Sequence, residues 1–272
     1  MKHSIDLISD LYLTKDTVFT WNQIPTSLFC VVAGNISEDR EVLKAALRHL
    51  GTCYRAVLFT DGPLEHIRTL SDLTQSYEQL IQDLADIPNV TYLYNNVVVL
   101  GDTAFLATNG WWALNFAPLV DYPQAVQWVM DTYNIPHGAV EFIQSTSVDD
   151  ASYLAHSISN LQRHNYVRKI IVITSTIPHY RLIEHDLELQ RSHHVTTCGN
   201  SLLSSAAKID TEHKISTWCF GSYSGQIDMV IDNIRYVNNA KGSKGSTGYK
   251  AVYYPLRIEF ETSHDSSGSI LI

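Results

Sequence analysis

The sequence predicts an α/β fold. Residues 5–9, 28–33 and 55–59 are short, continuous apolar runs, and residues 37–48 have the apolar spacing of an amphipathic helix. A parallel sheet with helices on both faces requires strands of this kind, because each strand is buried on both sides. With 272 residues, of which 45% are hydrophobic, the chain can bury such a core as one large domain or two small ones.

The remaining elements follow in order along the chain. Residues 70–87 have helical apolar spacing and stop at Pro88-Asn89. Strand-like runs come next, and Gly101-Asp102 between two of them is typical of a two-residue hairpin turn. Further helices are predicted over residues 125–133 and 149–162, and strands over residues 90–94, 97–100, 104–108, 169–174, 216–221, 229–231, 234–237 and 256–261.

Polar residues mark two of the predicted helix starts. Ser37, followed by Arg40-Glu41, predicts a capped start for the first helix. Asp149-Asp150 suits the first turn of the helix over residues 149–162, because carboxylates stabilise a helix N-terminus. No repeat or linker divides the chain. We therefore expect a single domain over residues 1–262 and a flexible C-terminal tail over residues 263–272.

Composition and charge disfavour several classes of function. A formal net charge of −9 disfavours binding of nucleic acid through bulk positive charge. No apolar run is long enough to span a membrane and no signal-peptide pattern is present, so a cytoplasmic location without membrane contact is predicted. The four cysteines lack the spacing of a zinc site or a disulfide framework. Charged residues make up 17%, below the roughly 25% of an average domain, and 15 tyrosines favour a protein partner or a homo-oligomer.

Polar blocks at the ends of the predicted strands resemble those of the calcineurin-like metallophosphoesterases. In that family the blocks read Asp-x-His, Gly-Asp, Gly-Asn-His-Glu/Asp, a histidine block and Gly-His-x-His. The resemblance covers residues 4–255 and implies a four-layer α-β-β-α sandwich. The corresponding blocks lie at residues 9–13, 33–36, 60–65, 173–178 and 218–224.

The resemblance also implies two divalent cations, such as manganese, which turn a bridging water into hydroxide. However, only Asp10 keeps the type of residue that the family uses as a ligand. Tyr12 stands at a histidine position, and Asn35 replaces the bridging aspartate. We therefore predict a vestigial cleft without metal or cofactor, formed by Asp10, Tyr12, Asn35, Pro63, Leu64, Ser175, Thr176, Ser222, Tyr223 and Ser224.

These replacements favour a non-catalytic binding or structural module, but two alternatives stay open. A reduced site for manganese or another divalent cation would make the chain a divergent phosphodiesterase or nuclease. That site would use Asp10, Asn35, Asp61, His66 and His179, although both histidines could equally be surface loop residues. Alternatively, the vacated cleft could bind a small molecule through its serine, threonine and tyrosine hydroxyls, with Asp10 disfavouring an anion.

Three further motifs have simpler structural interpretations. His193-His194 is expected in a solvated loop, because adjacent side chains point apart. Trp218 is expected to pack in the core, whereas Trp111-Trp112 could be either core residues or a stacking platform. Residues 241–250 combine three lysines with glycines but lack the order of a phosphate-binding loop, which favours a mobile surface loop.

Overall fold

The computed structural model describes residues 2–16, 25–116, 118–246 and 248–261, and the backbone of residues 270–271. The helices are α1 (Arg40–Cys53), α2 (Pro63–His66), α3 (Leu73–Leu84), α4 (Tyr122–Tyr133), α5 (His137–Arg163), α6 (Leu187–Arg191) and α7 (Leu202–Ala207), with 3-10 turns at Ile67–Thr69, Tyr180–Ile183 and His193–Thr197. The strands are β1 (Lys2–Ile8), β2 (Phe29–Ala33), β3 (Ala56–Thr60), β4 (Val90–Tyr92), β5 (Asn96–Leu100), β6 (Thr103–Thr108), β7 (Lys169–Thr174), β8 (Ile215–Phe220), β9 (Asp228–Ile231), β10 (Ile234–Asn238), β11 (Leu256–Glu261) and β12 (Ile270–Leu271).

The strands form two sheets that pack face to face. The first has the order β11-β1-β2-β3-β4, and the second has the order β12-β5-β6-β7-β8-β10-β9. The centre of each sheet is parallel, and antiparallel strands lie at its edges: β11 in the first sheet, and β12, β5 and β9 in the second. Helices cover the outer faces, which confirms the predicted α/β class and the four-layer sandwich.

Alternation along the strands divides the core into layers. Val31 and Phe105 belong to the cluster between the two sheets. Their neighbours Val32 and Leu106 point to the opposite faces and pack in the outer clusters, beneath α1 and α5 respectively. All four side chains are completely buried. Continuous apolar strands are therefore required, as the sequence pattern indicated.

Several predicted boundaries are confirmed. Strand β7 has the predicted bounds, and Gly101-Asp102 forms the two-residue turn, because Leu100 pairs with Thr103 across the hairpin. Trp218 is completely buried and stacks on Tyr236. The Trp111-Trp112 pair also belongs to a buried cluster, so these rings are core residues.

Both predicted helix starts are wrong. The carboxylate of Asp39 caps α1 by accepting from two backbone N–H groups, whereas the Ser37 hydroxyl donates to the Leu13 carbonyl at 2.8 Å. Helix α5 begins at His137, twelve residues before Asp149. Asp150 is consequently a buried mid-helix residue and not part of a first turn. The sequence pattern concealed this because two buried positions of α5 are the polar residues Ser147 and Asp150, which interrupt its apolar spacing.

The division into one domain and a tail remains a prediction. Residues 263–269 and 272 of the predicted tail lie outside the described residues, while Ile270–Leu271 form β12 and pair with β5. Within the described ranges, no helix has the length and apolar character needed to cross a membrane. All four cysteines are free thiols.

Phe105 provides a test of the inter-sheet core. We expect Phe105→Ala to lower the free energy of unfolding by about 3–5 kcal/mol, because it leaves a cavity between the sheets. Chemical denaturation measures this loss, with Val230→Ala on β9 as the control, since Val230 is 65% exposed. Equal effects of the two substitutions would contradict the placement of the core.

Candidate functional site

Three polar side chains from different strand ends meet at one point. Asp10 follows β1, Asn35 follows β2, and Ser222 follows β8 of the other sheet. Nδ2 of Asn35 donates to Asp10 Oδ1 at 2.8 Å and to Ser222 Oγ at 3.1 Å. The backbone N–H of Ser222 also donates to Asp10 Oδ1, at 2.9 Å. This Asp10–Asn35–Ser222 network ties the two sheets together.

The surrounding bonds determine which way the Asn35 amide points. Its Oδ1 accepts from the backbone N–H of Leu64 at 3.2 Å, in the first turn of α2. The oxygen therefore faces a donor, and the NH₂ group faces the acceptor Asp10. The reversed amide would put its oxygen beside the carboxylate and its NH₂ group beside a second N–H group. Leu64 and the preceding Pro63 thus contribute to this network through the backbone of α2.

The same strand ends have unusual backbone conformations. Asp10, Tyr12, Asn35 and Ser222 have φ angles of 52°, 48°, 57° and 61°. This left-handed region is uncommon for residues other than glycine and is found where the surrounding structure enforces it. Backbone bonds hold the first two residues there, from Asp10 N to the Gly34 carbonyl and from Tyr12 N to the Asn35 carbonyl. The conformation aims the polar side chains at one another.

Two glycines allow the strand ends to approach this closely. A Cβ on Gly34 would lie 2.5 Å from the Cβ of Ser175 and 2.9 Å from the Gly62 nitrogen. A Cβ on Gly221 would lie 2.6 Å from the Ala33 carbonyl oxygen and 2.9 Å from that of Ser175. Either substitution would push the two sheets apart at the network.

Asp10 is the buried acid of the network. Asp10 is only 1% exposed, and its Oδ2 has no hydrogen-bond partner. Burial raises the pKa of Asp10 to about 7, although the hydrogen bonds from Asn35 and Ser222 act in the opposite direction. The carboxyl group therefore lacks part of the stabilisation that a buried charge requires.

Glu65 holds the β2 and β3 loops together, a role that sequence reasoning missed. Its two carboxylate oxygens accept from four backbone N–H groups at 2.6–3.1 Å. Burial raises the pKa of Glu65 to about 7 against the effect of these donors. The donors belong to Asn35, Ile36, Ser37 and Gly62. Glu65 thus fixes the loop that carries Asn35.

Asp61 and His66 form a separate buried network. His66 Nε2 lies 2.8 Å from Asp61 Oδ2, which also accepts from Asn109 Nδ2 at 2.6 Å, while Tyr92 donates to Oδ1 at 2.7 Å. Burial raises the pKa of Asp61, but these hydrogen bonds outweigh it and leave the pKa below its usual value. The expectation that His66 could be a surface loop residue is wrong, because it is completely buried.

The second ring nitrogen of His66 is also occupied. His66 Nδ1 lies 2.8 Å from Ser76 Oγ, so aspartate, histidine and serine form a chain with the connectivity of a hydrolase triad. Ser76 is buried, however, and its Oγ also accepts from Arg40 at 3.0 Å and from Thr69 at 2.7 Å. The chain therefore satisfies polar groups in the core and offers neither ring nitrogen to a cation.

The side chains of other residues predicted for the cleft or for the metal site form hydrogen bonds away from the Asp10–Asn35–Ser222 network. Ser175 Oγ donates to the Asn109 carbonyl at 2.9 Å, and Thr176 Oγ1 donates to the Gly110 carbonyl. Both residues are completely buried, so their hydroxyls do not face a ligand in the cleft. His179 Nδ1 accepts from a backbone N–H at the start of the 3-10 turn Tyr180–Ile183. His193-His194 is exposed, but it lies in a 3-10 turn and not in a loop.

A cleft of about 490 Å³ opens beside Asp10. Five of the ten predicted cleft residues line it: Asp10, Tyr12, Ser222, Tyr223 and Ser224. Its other walls are the segment around α6 and glycines and serines of the loop over residues 242–248. The loop that the sequence predicted at the surface is therefore a wall of the cleft.

The donor set does not fit a two-cation centre. Nowhere in the described parts of the chain are three or more His, Cys, Asp or Glu residues grouped so that they could hold a metal ion. Asn35 presents N–H donors to Asp10, where a cation would need lone pairs. Burial and the nearby Asp10 raise the pKa of Tyr12 well above its usual value, so its phenol stays neutral and is a poor ligand.

Asp150 of α5 positions the loop that follows β6. Its Oδ2 accepts from the backbone N–H groups of Gly110 and Trp111, both at 2.9 Å. This loop also carries Asn109, a partner of Asp61. Burial raises the pKa of Asp150 to about 6.

Comparison with known proteins establishes the fold. No protein-family model and no curated protein sequence matches the chain. The phosphopantetheinyl hydrolase PptH from Mycobacterium tuberculosis superimposes with a TM-score of 0.67 at 15% identity, over 89% of this chain and 90% of the hydrolase. The chain has the metallophosphoesterase-like fold. At this identity the similarity concerns the fold alone.

Two weaker similarities have a TM-score of 0.48 and cover 89% of this chain. One is to a putative 5'-nucleotidase from Staphylococcus aureus, at 11% identity and over 49% of that chain. The other is to GAP50, the anchor in the inner membrane complex of Plasmodium, at 14% identity and over 72% of that chain.

The network predicts a specific response to Asn35→Asp. The substitution removes the N–H donors and places two carboxylates face to face, so we expect a loss of about 2–4 kcal/mol in the free energy of unfolding. Manganese should raise the melting temperature of this variant and not that of the wild type, because a cation would then separate two carboxylates. Asn96→Asp is the control, since Asn96 is exposed. Equal stabilisation of the wild type by manganese would contradict this account.

Asp150 predicts a pH dependence of stability. Its folded-state pKa of about 6 lies above the roughly 3.9 of an unfolded aspartate, so the folded state binds more protons in between. The resulting stabilisation is present below about pH 4 and is lost as the pH rises through 6. Asp150→Asn should flatten this part of the stability profile measured by denaturation. Asp149→Asn, on the exposed side of α5, should leave it unchanged; an equal effect of both would refute the assignment.

Proposed function

We propose that the chain is a non-catalytic protein with a metallophosphoesterase-like fold, which acts as a binding or structural module. The observation that supports this most strongly is the amide of Asn35 between Asp10 Oδ1 and Ser222 Oγ. A dinuclear centre uses a bridging carboxylate to hold two cations close together. Here an N–H donor faces the remaining acid instead, and this hydrogen bond takes the role of the cation in joining the strand ends.

The residues needed for the chemistry are also replaced. Hydrolysis of a phosphate ester at a two-cation centre requires an activated water. In the family that this chain resembles, a histidine also protonates the leaving group. The resemblance places Leu64 of the block over residues 60–65 at that histidine position, and a leucine side chain cannot transfer a proton. The backbone N–H of Leu64 instead fixes Asn35. Helix α2 thus supports the Asp10–Asn35–Ser222 network through its backbone, but it carries no histidine at the position of the leaving-group acid.

The alternative of a divergent phosphoesterase would require the five candidate ligands to act together. Asp61 and His66 bind one another in the core, and Asn109 and Tyr92 occupy the same carboxylate. His179 Nδ1 is bound to the backbone of its own 3-10 turn. Asp10 and Asn35 alone would leave a cation with too few protein ligands.

Binding is supported by the shape and chemistry of the cleft. Its volume of about 490 Å³ is in the range of small-molecule sites. The low charge content and the 15 tyrosines additionally favour contact with a protein partner or a second copy of the chain. We include both kinds of binding in the proposal.

Metal analysis combined with an activity assay tests this proposal. After incubation with manganese and desalting, we expect substoichiometric metal in the protein by elemental analysis. Hydrolysis of bis(p-nitrophenyl) phosphate in added manganese should not exceed that of Asp10→Ala, which removes the one retained acid. Stoichiometric metal together with turnover that Asp10→Ala abolishes would establish the phosphoesterase alternative.

A further inference from the structure

The charged side chains of the cleft are all of one sign. Asp10, Asp186 and Glu188 line it, and none of the described lysines or arginines does. Asp10 lies at the strand ends, whereas Asp186 and Glu188 come from the start of α6. Carboxylates from two separate parts of the fold therefore face the same space.

Two lysines lie near the cleft but do not line it. Lys241 places its ammonium 5.3 Å from the centre of the Tyr249 ring. Lys250 lies over the Tyr253 ring and donates to Asn239 Oδ1 at 3.4 Å. The charge of Lys250 lowers the pKa of Asp10 slightly against the larger effect of burial, so it offsets part of the negative charge at the inner end of the cleft. Neither lysine lines the cleft, and Asp186 and Glu188 form no ion pair with a described lysine or arginine.

Asp10 provides an independent indication of a missing partner. It is 1% exposed and lines the cleft, yet its Oδ2 has no hydrogen-bond partner within normal distance. The nearby Ser9 hydroxyl lowers the pKa of Asp10 but is itself left without a hydrogen bond. The adjacent Gly221 has no side chain that could donate to this oxygen, and a Cβ there would lie 3.1 Å from it. Buried polar atoms are normally satisfied, and an unsatisfied one requires an explanation such as an unseen water or ion. Among the unsatisfied side-chain atoms of the described residues, Asp10 Oδ2 belongs to a carboxyl group that lines the cleft.

We propose that the cleft binds an organic ammonium ion, such as a linear polyamine, and does not bind phosphate. The three carboxylates attract the cation, and the rings of Tyr12 and Tyr223 add cation–π stabilisation at the wall. Serine hydroxyls in the lining, including Ser224 and Ser243, are available to accept ammonium N–H groups. The same carboxylates repel a phosphate ester.

This inference rests on the proposed non-catalytic function and specifies its ligand. Isothermal titration calorimetry at physiological salt tests it, with spermidine as the probe and inorganic phosphate and adenosine monophosphate as comparators. We expect heat of binding from spermidine alone. The double variant Asp186→Asn, Glu188→Gln should weaken the affinity by about tenfold, because it removes two of the three acidic side chains that line the cleft.

A matched control removes two charges elsewhere. Asp149→Asn combined with Glu78→Gln neutralises two exposed acids outside the cleft lining and should retain the wild-type affinity. Thermal melts establish that both double variants are folded. An equal loss of affinity in the two double variants would show non-specific attraction to an acidic chain and overturn the inference. Absence of spermidine binding, or tighter binding of phosphate, would also overturn it.

The bis(p-nitrophenyl) phosphate assay on the same samples separates the two proposals. Metal-dependent turnover would overturn the non-catalytic function itself. Absence of both turnover and spermidine binding would overturn only the choice of ligand.

Discussion

The hydrogen bond from Asn35 Nδ2 to Asp10 Oδ1 is the contact on which the strand-end site depends. It joins β1 to β2, and through Ser222 it joins both to the second sheet. In a dinuclear centre, cations would hold these loops together through carboxylate and imidazole ligands. Here an amide donor holds them, and Asp10, Asn35 and Ser222 adopt left-handed backbone conformations at the strand ends.

The sequence predicted the α/β class because burial on both faces of a sheet leaves a strong pattern, whereas the four layers were implied by the family resemblance. The apolar run of β7 and the Gly101-Asp102 turn are determined by residues close in sequence, and both were predicted correctly. The start of α5 was not, because Asp150 resembles a helix-start residue locally. Its actual partners, the N–H groups of Gly110 and Trp111, lie about forty residues away.

For the site, the sequence could predict which residue types stand at the strand ends but not the contacts that they make. The sequence alone predicts that Tyr12 and Asn35 replace metal ligands and that Leu64 replaces the acid, once its blocks are compared with those of the family that it resembles. The roles of Glu65 and His66 are not, because each depends on partners that tertiary folding brings together. Ser175 and Thr176 also illustrate this limit, since their hydroxyls satisfy backbone carbonyls and do not face the cleft. The lining of the cleft, with carboxylates and no described cation, was likewise visible only in three dimensions.

The most direct test of the central claim is anomalous diffraction from crystals grown with manganese. The account predicts no anomalous peak between Asp10 and Asn35, and an Asn35 amide nitrogen within hydrogen-bonding distance of the Asp10 carboxylate. A peak at that position, with the Asn35 side chain turned so that its oxygen coordinates the ion, would contradict it.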